Sequence, residues 1–294
     1  MREADIEAVL DALRSGWLTM GPRIQAFEAA FAAYVGAEHA VAVSSGTAGI
    51  HLAVRAVVEP GMEVLIPALG GDAAEAAVLA VGGLVHYGDV ISAEDPTLDP
   101  DQAVGAEVLV VVHPHGFRAT VPDVAVPVIE DCRAALGLGV GRAGLVACWS
   151  FADGRPLGMG EGGCVTTDDE AVAARVRLLR QHAMTSGTWD RHRGHSDSYD
   201  VVDIGFNFRL DEPRAALGSS QLAHLDEDLE ARRSVEAVLV DDAGAAVSAL
   251  AAAGIGARTA AVSAPLPNAT AAAARMVLLE PGADRDAVAR ALSR

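Results

Sequence analysis

Apolar runs alternate with amphipathic stretches along most of this chain, and no other feature limits its fold as strongly. Residues 41–45, 64–68, 84–90, 108–113, 126–131 and 145–151 read as strands. Residues 3–15, 22–35, 47–57, 72–81, 133–137, 169–182 and 212–232 read as helices. Strands this continuously apolar are covered on both faces, so the expected fold class is α/β, a mostly parallel sheet between layers of helices. From about residue 234 a strand-like VEAVLVDD, a helical AGAAVSALAAAG, the run RMVLLEP and a last helix over 284–293 suggest a smaller α/β unit. The expected division is N-terminal helices and a large domain over 1–210, then a small C-terminal domain over 211–294. No internal repeat interrupts this reading. The polar segment 183–200 reads as a loop long enough to be functional.

A second constraint is chemical. All 22 basic side chains are arginines, and the chain contains no lysine. No side chain can therefore form a Schiff base with a carbonyl compound, and a Walker A loop or a protein-kinase site would lack its lysine. Codon bias in an Ala-, Val- and Gly-rich chain accounts for much of the depletion, but it restores none of that chemistry. The net charge of −18 makes the chain a poor ligand for nucleic acid, although backbone N–H groups and a local arginine can still hold an anion. Cys132, Cys148 and Cys164 are odd in number and lack CxxC spacing, which argues against a disulfide framework or a zinc site. The N-terminus has helical periodicity without an apolar signal core, and no apolar run reaches the roughly 18 residues of a membrane span. A cytoplasmic protein without membrane contact is expected.

Ligands of parallel α/β sheets bind at the carboxyl ends of the strands. Those ends carry Ser44-Ser45-Gly46-Thr47, Pro67-Ala68-Leu69-Gly70-Gly71, His113-Pro114-His115-Gly116, Glu130-Asp131 and Ser150-Phe151. Ser45-Gly46-Thr47 joins a strand to a helix and presents N–H groups and a hydroxyl suited to an anion, though it also reads as an ordinary helix cap. Asp131 ends an apolar strand, where an unpaired carboxylate is costly. It either faces a cationic or hydrogen-bonding ligand or caps the next helix. Gly158-Met159-Gly160-Glu161-Gly162-Gly163 reads as a tight turn with close backbone approach. His113-x-His115 and His192-x-x-His195, with Asp190, Asp197 and Asp200 nearby, have tolerable ligand spacing. The second group falls in the polar loop, and no metal is expected. In the same loop Trp189, Arg191 and Arg193 either cover a substrate or are simply solvated.

In this order the pieces resemble the DegT/DnrJ/EryC1/StrS family. The resemblance is carried by RSGWLTMGP, FEAAFAAYVGAEHAVAVSSGTAGIHLAVRA, VLIPA, VIEDCRAALG, WSF followed by GEGGCVTTDDE, RVRLLRQHA and YDVVDIGFNFRLDEPRAALGSSQL, collinear over residues 3–233. The family implies a pyridoxal-phosphate fold type I architecture. It also implies aminotransferase activity on nucleotide-linked keto sugars or cyclitols, and homodimers with the active site at the subunit boundary. Carried over by the resemblance, Gly46, Thr47 and Ser150 would hold the cofactor phosphate, and Asn207 would reach a neighbouring subunit's phosphate site. Asp131 would pair with the pyridine nitrogen.

The departures sit at the same site. The position of the Schiff-base lysine is Arg155, whose guanidinium stays protonated and cannot serve as the amine. The ring-stacking aromatic is replaced by Gly71, the usual glutamine by Ala134 and the usual histidine by Ala152. The stretch after residue 234 reads as shorter than usual for the family. The resulting expectation is an atypical biosynthetic enzyme of a sugar or secondary-metabolite pathway without a covalent cofactor. Arg155 would grip an anionic metabolite or a nucleotide-sugar-like substrate, and Asp131, His115 and Asp153 would supply acid–base groups; were PMP held instead, the base would come from His115, His182 or Asp153. Gly71 would enlarge the pocket. Two alternatives stand beside it. One is an enzyme holding PMP or PLP non-covalently. The other is a non-catalytic subunit that gives Asn207 and Arg209 to an active paralogue, in place of the expected homodimer.

Overall fold

The computed structural model describes residues 1–185, 198–231, 237–260, 262–264, 266–280 and 283–293. The expected metal candidates Asp190, His192, His195 and Asp197, and the loop residues Trp189, Arg191 and Arg193, lie outside the described residues. Two N-terminal helices, α1 (Glu3–Arg14) and α2 (Pro22–Val35), precede β1 (His39–Val43) and α3 (Gly46–Val57). Then follow β2 (Glu63–Pro67), α4 (Asp72–Ala80), β3 (Leu84–Gly88), β4 (Val108–Val112), β5 (Val128–Asp131), β6 (Val146–Ser150), β7 (Gly163–Thr167) and α5 (Glu170–Arg180). The seven strands form one sheet in the order β1-β7-β6-β5-β4-β2-β3. β7 runs antiparallel to both of its neighbours, and every other pairing is parallel. The carboxyl ends of β1, β2, β4, β5 and β6 therefore share one edge. Every residue of β4, β5 and β7 is buried, as a doubly covered sheet requires.

The expected strands appear within a few residues of their limits. β7 is an addition, because the glycine-dense stretch before it reads as a turn. The expected helix over 133–137 is absent. Its backbone makes single turns instead, with Ala135 N–H donating to Cys132 O and Leu138 N–H to Ala135 O, and Gly137 closes it at φ +92°. The expected helix over 212–232 is two helices, α6 (Glu212–Leu222) and α7 (Leu225–Ala231). α6 packs on α1 and α2. The buried Glu212 at its start accepts the N–H groups of Arg23 (3.1 Å) and Ile24 (3.0 Å). It thus supplies the cap that Gly21 cannot give α2.

A second sheet contains β8 (Ala237–Leu239), β9 (Ala257–Thr259) and β10 (Met276–Leu279) in the antiparallel order β8-β10-β9. The helices α8 (Ala243–Ala252), α9 (Pro267–Arg275) and α10 (Arg285–Leu292) accompany it. This unit is tied to the carboxyl edge of the large sheet. Ser263 N–H donates to Ala68 O (2.8 Å), and the Asp89 carboxylate caps α9 through Asn268 N–H (2.9 Å) and Ala269 N–H (2.7 Å). Those contacts tie the second sheet to the ends of β2 and β3. Among the described residues no helix is long and apolar enough to cross a membrane.

Candidate active site

The strand ends and the second sheet enclose a cavity of about 450 Å³. One wall comes from the β1–α3 turn, where Ser45 Oγ caps α3 by accepting Ala48 N–H at 3.1 Å. The N–H groups of Gly46 and Thr47 are left at the positive end of the helix. Gly163 makes this wall possible, since a Cβ there would lie 2.6 Å from Ser45 carbonyl atoms. β7 can approach the turn only as glycine, which accounts for the last residue of the GEGG run. Ser150, Ala134, Ala152 and Arg155 line the adjoining wall, with His115 and Asp72 opposite. Arg258 of β9 and Met276 and Leu278 of β10 close the top.

The cavity wall carries an ion pair inside the chain. Arg133 Nε donates to Asp131 Oδ1 (2.8 Å) and Oδ2 (3.0 Å), and Arg133 Nη2 donates to Oδ2 at 2.7 Å. The Arg133 backbone N–H also reaches Oδ1, at 3.1 Å. The Asp131 side chain is 3% exposed and that of Arg133 21%. Burial opposes the charge on Arg133, but the field and hydrogen bonds of Asp131, together with the field of Asp72, outweigh it and hold the guanidinium above its ordinary pKa. Asp131 was expected to face a ligand or cap a helix. It instead binds a guanidinium two residues ahead, folded back by the turn that replaces the expected helix over 133–137. The stem of Arg133 lies against Gly46, where a Cβ would meet Arg133 Cδ at 2.9 Å and Ser150 Cβ at 2.7 Å. A protonated pyridine ring offered to Asp131 would meet this guanidinium. Two like charges about 4 Å apart cost about 4 kcal/mol in a partly screened site. The residues present do not fit a ring cofactor held through Asp131.

Of the other expected site residues, Gly46, Thr47, Ser150, Arg155 and His115 all line this cavity. His115 sits at φ +46° beside Gly116 at φ +94°, a left-handed corner that turns the chain at the end of β4. Asp153 is exposed and lines a separate groove with Met1, Arg2, Asp5 and His224, so it does not share the cavity with His115. His182 lies outside the cavity, its N–H bonded to Phe206 O. Asn207 is exposed between Phe206 and Phe208, whose rings stack 4.9 Å apart against the core. Gly71 does not enlarge the cavity. A Cβ there would lie 2.5 Å from Pro67 O, and Gly70 and Asp72 are its lining neighbours. Arg133, Arg258, Asp72 and Glu161 were not anticipated as lining residues.

His113 also lines the cavity, and its ring is held from behind: Nδ1 accepts Ala119 N–H (3.0 Å) and Nε2 bonds Glu130 Oε2 (3.0 Å). Glu130 also accepts N–H groups from Gly141, Ala143 and Gly144. Burial pushes the Glu130 carboxyl up, but His113 and the Gly144 and Gly141 N–H groups prevail, and its pKa is lowered. His113, Glu130 and Cys132 bring three donor atoms within 4.8 Å of one another. Both histidine nitrogens and the carboxylate are already committed, so the group pins the 139–144 loop. Burial pushes the thiols of Cys132, Cys148 and Cys164 up, which makes them poor nucleophiles.

Comparison with known proteins agrees with the architecture. The model of the DegT/DnrJ/EryC1/StrS aminotransferase family matches residues 1–247. Spore coat polysaccharide biosynthesis protein SpsC of Bacillus subtilis (strain 168) is 34% identical over 248 residues, 78% of this chain. The match spans 63% of that relative's length. The sugar aminotransferase CalS13 from Micromonospora echinospora superimposes with a TM-score of 0.81 at 26% identity, over 99% of this chain and 97% of that one. S. venezuelae DesV, solved in complex with a ketimine intermediate, gives 0.79 at 28% identity over 98% and 92%.

Proposed function

The chain belongs to the DegT/DnrJ/EryC1/StrS aminotransferase family, and on that footing we propose that it is an atypical biosynthetic member working without a pyridine cofactor on an anionic, nucleotide-sugar-like metabolite. The observation that carries this reading is the Arg133–Asp131 pair in a chain without lysine. The family is associated with pyridoxal phosphate, and both of its main holds on that ring, the lysine and the free aspartate, are spent or missing here. Arg155, at the family's lysine position, and Arg258 bind the anionic group alongside the α3 N-terminus, where Gly46, Thr47 and Ser150 supply donors. Asp72 and Glu161 accept hydrogen bonds from hydroxyls. His115 moves the proton, taking it from a carbon or hydroxyl of the substrate and returning it.

The test is proton exchange. Protein freed of pyridine compounds, incubated in D2O with nucleotide-linked keto sugars, should place deuterium on the carbon beside the carbonyl without added cofactor. His115→Asn should slow that exchange by roughly 10²–10⁴-fold. Exchange that appears only after PMP is added would remove the reading. Tyr199, Val201, Val202 and Ile204, exposed next to Asn207, support a homodimer joined along this strip. A chain that sediments alone as a monomer but pairs with an active paralogue would favour the non-catalytic partner instead.

A further inference from the structure

We propose that Arg133 is a built-in surrogate for the cofactor's pyridinium, the single side chain that closes this pocket to PMP and PLP. This deepens the cofactor-free reading of the same site and rests on it. A pyridinium offers Asp131 one N–H donor and one delocalised charge. Arg133 offers a delocalised charge and donors to both oxygens. The side chain starts only two residues beyond Asp131, so the pair closes within one turn and needs no other element to form. The packing is equally specific. The Arg133 stem fills the space above Gly46, beside Ser150, so it lies between the anion-binding turn and the carboxylate. A ring joining those two points would have to displace it. Asp72 adds its field to the guanidinium from the α4 side and favours its staying. Gly46, Thr47 and Ser150 still line the cavity around that stem, so removing one side chain should reopen a site whose phosphate end is intact.

The experiment measures the thermal midpoint of wild type and Arg133→Ala against increasing PMP and, separately, methylguanidinium. The expected result is that PMP raises the midpoint of Arg133→Ala saturably, at a concentration at least tenfold below any effect on wild type. Asp131→Asn added to Arg133→Ala should abolish the shift. Methylguanidinium should also stabilise Arg133→Ala, as a replacement for the lost cation. A variant rescued by methylguanidinium but indifferent to PMP would show an ordinary structural ion pair and overturn the proposal. So would equal PMP effects on wild type and variant. If Arg133→Ala does not fold because it strands a buried carboxylate, Arg133→Gln keeps a donor on Asp131 without the charge and carries the same test. Cofactor-free exchange by wild type without PMP gain in the variants would leave the function standing and remove the surrogate. PMP gain without exchange would do the reverse.

Discussion

Arg155→Lys alone should not turn this protein into an aminotransferase, whereas Arg155→Lys combined with Arg133→Ala should take up pyridoxal phosphate covalently. The chain contains no other lysine, so a pyridoxyl group fixed by borohydride on a lysine side chain can only mark position 155. Residue 155 lines the cavity together with Asp131 and Arg133, so a lysine there starts from the right wall. In the single variant the guanidinium still occupies Asp131 and opposes a protonated ring by about 4 kcal/mol, roughly a thousandfold in affinity. In the double variant that opposition is gone and the ring restores the counter-charge of the buried carboxylate. Peptide mass mapping after borohydride should find the label at position 155 in the double variant only. Equal labelling of the single variant would mean that Arg133 is no obstacle.

Glu130→Gln should lower the unfolding free energy by about 3–5 kcal/mol, the range for stripping one partner from a buried charged network. The side chain is 1% exposed. It holds His113 and three backbone N–H groups of the 139–144 loop, and an amide would turn a donor toward some of those donors. The pH dependence has a definite sign. Because the folded pKa of Glu130 lies below its ordinary 4.5, its ionised form stabilises the fold fully above about pH 4.5. That contribution fades as the pH falls through the folded value. The stability gap between wild type and Glu130→Gln, followed by urea unfolding, should therefore be constant near neutrality and shrink below about pH 4.5. A gap that stays the same down to pH 3 would refute the assignment.

Much of the scaffold was legible because its signal is local. The apolar runs of β4 and β5 and the periodicity of α2 and α3 report burial directly. Asp131 was legible for the same reason, as a carboxylate at the end of an otherwise apolar strand. Its partner was not, although Arg133 stands in the same EDCRAALG run. The stretch reads as a helix start, and only the tight turn folds a guanidinium back across two residues. Gly71 was read as lost bulk, yet its own backbone leaves no room for a Cβ. Arg258 was invisible for a different reason, because it reaches the cavity from another sheet and no spacing along the chain encodes that approach. The alanine-rich α9 and the short exposed β9 gave too little contrast in polarity to mark their limits.

The most direct test of a pocket that works without its family's cofactor is equilibrium dialysis of the wild-type chain against PMP and PLP, with Asp131→Asn in parallel. The account predicts no saturable binding up to millimolar concentrations in either protein, because the Asp131 charge is already answered by Arg133. One molecule bound per chain at micromolar concentration, and lost in Asp131→Asn, would contradict it.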